Sequence, residues 1–470
     1  MSSPGADVSP KGGPERGKIG LLALVCLIFF TVSGGPFGLE TLVGEVGPGW
    51  AVILIAATPL LWALPTALMV AELSSAIPEE GGYYVWVRRA LGDFWGVQEG
   101  WWTIGYTAVD LAIYPVLFVN YLAFFVPGLA LDEGGGSSWG VFGARWVVTL
   151  ALIGVALALN LRGAGAVGKN ATWTIGVVLG VFAVLSVLGL SREGAAASAA
   201  GAVRRGLGEG GMGGSLAVGL AAVLWNYCGW DNVSTYASEV RDPGRTYPRA
   251  LLITLPLIAA SYLIPVLAGV GTTTDPAVWS ESKGWPAIAE IIAGPCFGRA
   301  VAVAALVSAW SLFNSQLLYV ARLPAAMARD GWLPEPLGRV SARTGVPTTA
   351  LIASCLITAV CAALPFAKLV VIDILLYAAG LSLEFVALIA LRLREPELPR
   401  PFRVPGGLAG TVVILVLPMA LAGVVVYQSL DGEEGAVPQL VTVLAVMASG
   451  VVLYLARRSR TRDLAAKKAG

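Results

Sequence analysis

The stretch Ser33-Gly34-Gly35-Pro36-Phe37-Gly38 interrupts the first long hydrophobic segment of the chain at its centre, and the carboxylate Glu40 follows two residues later. Glycine and proline are the weakest helix formers, and proline also lacks an amide donor. The backbone groups released by such a break find no partner in lipid, so a non-helical backbone inside a membrane lines a site. The stretch therefore predicts a broken transmembrane helix that contacts a ligand, an ion or water.

The composition is that of a chain embedded in lipid. Of the 470 residues, 56% are hydrophobic and 13% are charged, which is typical of a polytopic membrane protein. Windows of about 19 residues predict twelve transmembrane helices and hence an all-α fold. The predicted spans are 19–44, 49–76, 94–126, 143–161, 170–190, 215–240, 249–271, 299–325, 347–365, 368–391, 409–429 and 437–456.

Polar segments divide these spans into groups. The first span lacks the features of a cleaved signal peptide, so we expect it to stay in the membrane. The longest polar stretch inside the chain, residues 191–214, carries arginines and has no physical explanation beyond its length. We expect an N-terminal tail at 1–18, a membrane-embedded core at 19–391 with spans 1–5 in 19–190 and spans 6–10 in 215–391, spans 11 and 12 in 409–456, and a basic tail at 457–470.

The distribution of basic residues predicts the orientation. Placing the N-terminus in the cytoplasm puts 24 of the 31 lysines and arginines on that side, as the positive-inside rule requires. The opposite loops at 127–142 and 430–436 carry acids and no lysine or arginine. We therefore expect a multi-pass protein of the cell membrane with both termini in the cytoplasm.

A second break lies five spans after the first. The sixth span contains Leu224-Trp225-Asn226-Tyr227-Cys228-Gly229-Trp230-Asp231-Asn232, which places polar side chains, a glycine and an acid in mid-span. Corresponding breaks in two five-span halves indicate an inverted-repeat transporter, in which helix ends and unwound carbonyls bind substrate and ions. A channel can also contain broken helices, but it does not need this pairing.

Three acids lie deepest in the spans: Glu40, Asp110 and Asp231. A carboxylate at the centre of a transmembrane helix costs roughly 3 kcal/mol and persists where it is paired, solvated or used. Each can be a structural acid that accepts hydrogen bonds. If the three converge, they form a site for a substrate with two or more ammonium groups, and crowding makes each a candidate for proton coupling. The chain contains no histidine, so carboxylates or tyrosines must carry any proton chemistry.

Other polar and aromatic residues are assigned by depth. The acids Glu72, Glu99, Glu239, Asp373 and Glu384 lie nearer span ends or polar turns, so we expect structural or interfacial roles for them, with Asp373 the least certain. Deep aromatic residues can hold a cation through cation-π contacts, or can simply pack. The deep aromatic residues of this kind are Trp225, Trp230 and Trp310, and Tyr227 lies with the first two at the second break.

At the level of motifs, the chain resembles the amino acid-polyamine-organocation transporters over residues 19–430. The resemblance is carried by the glycine-rich stretch at 32–35 and by two longer blocks at 71–86 and 239–250. Within that family, Ser33 to Glu40, Asp110 with Tyr114-Pro115, and Trp225-Asn226 with Trp230-Asp231 are most similar to polyamine uptake transporters.

The resemblance implies the leucine-transporter fold, with spans 1–5 and 6–10 as inverted repeats and two further helices. In amino-acid-binding members, amides at Ser33, Gly34 and Gly35 bind the substrate carboxylate, and carbonyls between Asn226 and Gly229 bind the amine. Trp225 and Trp310 are similar to aromatic gates of arginine/agmatine exchangers. The fifth span lacks the lysine that replaces sodium in some relatives. Sodium binding at Ser308 and Ser311 is the alternative to proton coupling.

The leading hypothesis is a secondary active importer of polyamines or related organic dications, coupled to protons and working by alternating access. The alternatives are a permease or exchanger for cationic or neutral amino acids, and a membrane sensor that binds without transporting. An intramembrane enzyme is disfavoured because the sequence shows no nucleophile-base pair. We expect a small-molecule substrate in a lipid bilayer, with no cofactor, no metal and no nucleic acid partner, and leave the oligomeric state open.

Overall fold

The computed structural model describes residues 19–79, 81–130, 138–162, 168–208, 216–232, 234, 240–280, 283–431 and 437–469. The expected N-terminal tail at 1–18, Glu239 and residues 209–214 of the long loop lie outside these ranges. Within them the fold is helical, and one parallel bridge joins Ile19 to Val240. The all-α class is thus confirmed.

Seventeen α-helices cover the described residues, and a π-helical turn at Pro59–Ala63 joins the second to the third. They are α1 (Leu21–Val32), α2 (Leu39–Thr58), α3 (Leu64–Ala76), α4 (Gly82–Leu91), α5 (Asp93–Leu122), α6 (Trp139–Asn160), α7 (Gly168–Leu190), α8 (Ala195–Gly208), α9 (Leu216–Asn226), α10 (Pro243–Thr272), α11 (Gly284–Ala293), α12 (Pro295–Val320), α13 (Arg322–Arg329), α14 (Thr348–Cys361), α15 (Phe366–Arg394), α16 (Gly407–Asp431) and α17 (Val437–Ala469).

These helices account for the predicted spans. In the described part of the chain, eight helices are long and apolar enough to cross a membrane, or nine if the bent pair α7 and α8 forms one span. The shorter apolar helices α1, α9 and α14 coincide with the first, sixth and ninth predicted spans. A protein that crosses the membrane about twelve times agrees with this architecture, whereas the relation of its halves by an inverted repeat stays a prediction.

The first span is broken as expected. Helix α1 ends at Val32, and helical structure resumes at Leu39 in α2. Within α2 the backbone leaves the helical region at Gly47, where φ is 78°, and Pro48 follows. The first eight residues of α2 therefore complete the first span, and the remainder begins the second.

Two helices were not predicted from the sequence. The bend between Gly176–Leu190 and Ala195–Gly206 is 91°, so α8 turns away from the span that precedes it and occupies part of the unexplained loop. Helix α11 is too short to be recognised as a span. The basic tail also differs from expectation in form, because α17 continues through it to Ala469.

Helices α5 and α15 form the centre of the molecule, with most of their residues buried. They run antiparallel: Tyr106 packs edge-on against Tyr377 at 5.2 Å between ring centroids, and Glu99 lies against Gly380 farther along α15. The site described below lies between these two helices and the two breaks.

A buried ion-pair network closes one end of this core. The side chain of Glu72 at the end of α3 is fully buried and accepts from Arg392 Nε at 2.8 Å and from the Val404 amide at 2.7 Å. A second arginine, Arg400, places its Nε 3.4 Å from Glu72 Oε1. The network fastens the segment after α15 to α3, which confirms the structural role expected for Glu72.

We predict that Glu72→Gln lowers the free energy of unfolding by about 3 kcal/mol. The change removes the only carboxylate that the described structure pairs with Arg392 and Arg400 at this buried position, and it leaves both guanidinium groups without a counter-charge there. Thermal unfolding of the purified protein in detergent measures the effect. Glu397→Gln, an exposed change in the same segment, is the control. Equal unfolding midpoints for the two variants would contradict the structural assignment.

Candidate functional site

Two glycines in the first break adopt positive φ angles that do not occur in a right-handed helix. The backbone φ is 101° at Gly35 and 88° at Gly38, a region that disfavours residues with a Cβ atom. A Cβ atom at Gly35 would also lie 2.6 Å from Val178 Cγ1 on α7. The break therefore requires glycine for both its backbone conformation and its packing.

Protein side chains already bind amides of the first break. The Gly35 amide donates to Ser33 Oγ at 3.3 Å, and the Gly38 amide donates to Glu40 Oε2 at 2.8 Å. Glu40 is buried, lies in the first turn of α2, and also accepts from the Tyr121 hydroxyl. It thus occupies the position near a helix N-terminus that would favour an anionic ligand.

Carbonyls of the first break are paired as well. The Gly34 carbonyl accepts from Ser308 Oγ on α12 at 2.6 Å. The Pro36 carbonyl accepts from Trp285 Nε1 on α11 at 2.7 Å. The unforeseen helix α11 therefore rests directly on the break.

The second break begins where α9 ends at Asn226. The Asn226 carbonyl accepts from the Tyr262 hydroxyl on α10 at 2.8 Å, and the Tyr227 carbonyl accepts from Trp230 Nε1 at 2.8 Å. Gly229 has a φ of 90°. A Cβ atom there would lie 3.3 Å from the Thr31 carbonyl of α1, so the two breaks lie side by side.

A cavity lies between the breaks and helices α5, α12 and α15. Its volume is about 50 Å³. Aromatic rings form much of its wall, and none of the described residues that line it is basic. The lining residues are Thr31, Val32, Gly34, Gly35, Phe37, Tyr106, Asp110, Tyr114, Leu117, Tyr121, Trp225, Asn226, Cys228, Gly229, Asn232, Ala305, Ser308, Ala309, Leu312, Gln316, Asp373 and Tyr377.

Asp110 is the acid of this cavity that accepts hydrogen bonds from neighbouring side chains. Its Oδ1 accepts from Trp225 Nε1 at 2.8 Å, and both of its oxygens lie 3.3 Å from the Tyr114 hydroxyl. Gln316 Nε2 on α12 donates to that hydroxyl at 2.5 Å. The carboxylate is therefore oriented by neutral donors and keeps its negative charge unpaired by any lining residue.

Asp373 is the second acid of the cavity, and sequence reasoning had set it aside as structural. It lies on α15, is 2% exposed, and its Oδ1 has no hydrogen-bond partner among the described residues. It acts electrostatically on Asp110 across the cavity. The missed signal was its position in a hydrophobic run on the same helical face as Tyr377, because residues four apart are neighbours on a helix.

Asp231 lies just behind the cavity wall. It is buried and accepts from the Tyr377 hydroxyl at 2.6 Å. The next residue, Asn232, lines the cavity and accepts from the Tyr106 hydroxyl at 3.2 Å. Asp231 therefore contacts the cavity through Tyr377, which sequence reasoning did not identify.

The remaining residues predicted for the site fall into those that line the cavity and those that do not. Gly34, Gly35, Trp225, Asn226 and Gly229 line the cavity with Asp110. The lining residues do not include Ser33, Glu40, Tyr227, Trp230 or Asp231. Trp310 lies elsewhere, in an apolar pocket that it shares with Phe118, Val148, Ala151, Leu152, Val155, Leu306 and Val307.

The two serines considered for sodium lie near the first break. Ser308 is paired to the Gly34 carbonyl, and Ser311 Oγ lies 2.8 Å from Thr174 Oγ1. A second, smaller cavity of about 10 Å³ touches Ser308, Gly34 and Thr174. Its described lining residues include no acid, so a cation there would rely on neutral oxygens.

A family model described as amino acid permease matches residues 19–450. The chain belongs to the amino acid permease family. It is a transporter rather than an enzyme, and it passes through the membrane several times, in agreement with its apolar helices. The resemblance inferred from the motifs is thereby confirmed.

Curated relatives of this permease include plant transporters. The chain is 36% identical over 455 residues to the polyamine transporter PUT1 of Oryza sativa subsp. japonica, covering 95% of this chain and 80% of the relative. It is 35% identical over 414 residues to the polyamine transporter RMV1 of Arabidopsis thaliana, covering 87% and 80%. An uncharacterized transporter of Mycobacterium tuberculosis is 29% identical over 349 residues, with 72% of each chain covered.

We predict that Gly35→Ala lowers the free energy of unfolding by about 1–2 kcal/mol through its backbone conformation, with a further loss from the contact with Val178. Adding Val178→Ala should restore the steric part alone. Thermal unfolding in detergent measures both variants. Gly180→Ala, with open space around its Cβ position on α7, is the control. Full recovery in the double variant would argue against the requirement for a positive φ.

Proposed function

We propose that this permease imports polyamines or closely related organic dications by alternating access, coupled to protons. The names of the two plant relatives support the substrate class. We place the protein in the cell membrane with both termini in the cytoplasm, as the distribution of basic residues favours.

One observation carries the substrate proposal. Asp110 and Asp373 line one cavity without a basic residue among its lining, and an oxygen of Asp373 has no hydrogen-bond partner in the described part of the chain. A buried carboxylate is costly unless a donor or cation compensates it. A substrate with two ammonium groups supplies both the missing charge and the missing N–H donors.

The wall of the cavity suits the rest of such a substrate. Trp225 and Tyr114 lie beside Asp110, and Tyr106 and Tyr377 lie toward Asp231. Aromatic faces attract ammonium groups and also pack against methylene chains. The alternation of acids and rings therefore matches an alkyl chain with separated amines.

An amino acid substrate is the second candidate, which the family description favours. Its carboxylate would need donors near the first break, where Ser33 and Glu40 already bind the amides of Gly35 and Gly38. It would also enter a cavity that contains two acids. Electrostatic repulsion therefore makes a net-neutral amino acid the poorer fit.

Proton coupling is proposed for carboxylates near the substrate. Asp231 is suited to it, because it is buried, forms no salt bridge in the described part of the chain and contacts the cavity through Tyr377. Glu40 also contacts a lining residue, Tyr121, but it is less suited, since one of its oxygens accepts from the Tyr121 hydroxyl and the other from the Gly38 amide. Sodium binding near Ser308 is the alternative coupling mode.

We predict that Asp110→Asn and Asp373→Asn each raise the KM for spermidine about 10- to 100-fold. The range follows from about 1.5–3 kcal/mol for a hydrogen bond to a charged group and tenfold per 1.4 kcal/mol. The measurement is uptake of labelled spermidine, arginine and leucine into proteoliposomes with an imposed pH gradient.

Asp275→Asn is the matched control. It makes the same change on an exposed loop, where Asp275 Oδ1 accepts from the Ala277 amide at 3.0 Å and an asparagine carbonyl can replace it. Uptake of leucine or arginine without spermidine, unchanged by either cavity variant, would refute the dication proposal. Spermidine uptake that follows an imposed sodium gradient and ignores the pH gradient would refute proton coupling alone.

A further inference from the structure

A polar stripe on α15 leads away from the substrate cavity. Asp373, Tyr377, Gly380 and Glu384 follow one another at spacings of four, three and four residues, so they share one face of the helix. Asp373 and Tyr377 line the cavity, whereas Glu384 lies two to three turns beyond it. The stripe therefore extends past the substrate site.

Helix α5 carries a matching stripe. Glu99, Thr103, Tyr106 and Asp110 repeat the same spacings in an antiparallel helix that packs against α15. Tyr106 contacts the Tyr377 ring, and Glu99 faces Gly380. The two stripes thus face each other from the cavity acids at one end to a second pair of acids, Glu99 and Glu384, at the other.

This second pair is buried and incompletely bonded. Glu99 is 1% exposed and Glu384 is 2% exposed, and Oε2 of each has no hydrogen-bond partner in the described ranges. Thr103 Oγ1 donates to Glu99 Oε1 at 3.2 Å. A Cβ atom at position 380 would lie 3.1 Å from the same oxygen, so Gly380 makes room for the carboxyl group.

The charges around the pair are all acidic. Asp231, from the segment after α9, acts electrostatically on Glu99 and on Glu384, and the two glutamates act on each other. Tyr377 on α15 is the neighbouring titratable group and hydrogen bonds to Asp231. No lysine or arginine is among the described groups acting on either carboxyl. Neighbouring buried carboxyls without a cation cannot all be ionised, so such a pair retains a proton.

We propose that Glu99 and Glu384 form the proton site of the transport cycle, separate from the acids that bind the amine, and that Asp231 and Tyr377 connect it to the cavity. This inference rests on the proposed function. A proton taken up by the Asp231 carboxylate moves to a carboxylate oxygen of the pair and leaves it for water at that end when the helices separate. One O–H bond breaks as another forms, and the positive charge moves with the proton.

The location of the pair agrees with import. Glu99 is six residues from the start of α5 and Glu384 is ten residues from the end of α15. These are the ends beside Arg88, Arg89 and Arg394, which we place on the cytoplasmic side. A proton released from the pair therefore has a short distance to travel to the cytoplasm.

The test measures two activities separately: uptake of spermidine driven by a pH gradient, and exchange of spermidine across the membrane at equal pH. Proteoliposomes that enclose a pH-sensitive dye report both labelled spermidine and protons. In one assay a pH gradient drives uptake, and in the other unlabelled spermidine inside exchanges with labelled spermidine outside at equal pH. For Glu99→Gln/Glu384→Gln we expect driven uptake and internal acidification at least tenfold below the unmodified protein. Exchange should stay within about twofold, because exchange does not require release of the proton.

Two control variants define the results expected for loss of substrate binding and for a change away from the transport pathway. Asp110→Asn should weaken both driven uptake and exchange, since it removes an amine contact. Glu397→Gln, which alters an exposed glutamate, should alter neither. Spermidine transport absent from the unmodified protein would overturn the proposed function itself.

Other outcomes overturn only the proton site. If the double variant takes up as many protons per spermidine as the unmodified protein, the pair does not carry the proton. Equal loss of driven uptake and exchange in a variant with a normal unfolding temperature would make the pair structural. If the double variant does not fold, Thr103→Val replaces it, because it removes only the hydrogen bond to Glu99. That variant should change the pH dependence of driven uptake and leave exchange unaltered, and an unchanged pH dependence would overturn the inference.

Discussion

The cost of a carboxylate in a medium of low polarity governs the arrangement of this permease. The acids of the core meet that cost in different ways. Glu72 is paired with two arginines, Glu40 accepts a backbone amide and a tyrosine hydroxyl, and Asp110 is surrounded by neutral donors. Asp373 retains an unpartnered oxygen in the described structure. Acids whose charge is met by arginines or hydrogen-bond donors of the protein hold the fold together, whereas an acid with an unpartnered oxygen is available to a ligand.

The glycine-rich breaks make this arrangement possible. The positive φ angle and missing Cβ atom of Gly229 let the second break lie close to α1, and those of Gly35 let the first break lie close to α7. Their carbonyls then bind hydroxyl and indole donors from α10, α11 and α12, so the breaks are stabilised before any substrate arrives. The backbone consequently shapes the cavity, and side chains of α5 and α15 supply its charge.

Much of this was predictable from the sequence, because hydropathy and helix-breaking residues are local properties. The all-α class, the broken first span and the placement of Asp110 and Trp225 near the breaks follow from such patterns. The depth of a residue along a span does not reveal which way its side chain points. Glu40 and Trp310 were therefore grouped with the site, although Glu40 is not among the lining residues and Trp310 lines a separate apolar pocket. Asp373 and Tyr377 were overlooked because their relevance depends on packing between helices distant in sequence. Helices α8 and α11 were missed because neither has the length of a span.

The absence of a basic residue among the lining of the cavity has an electrical consequence. Under the proposed function, a bound dication would neutralise the two acids that line the cavity, so the loaded protein would change conformation with little net charge in that cavity. The empty protein must carry those negative charges, or the protons that replace the substrate, through the same rearrangement. Moving one charge through the full membrane potential is worth about 2.3 kcal/mol per 100 mV. Under the proposed function, membrane voltage would therefore act chiefly on the return of the empty carrier, and a cell could set the rate of turnover through its membrane potential.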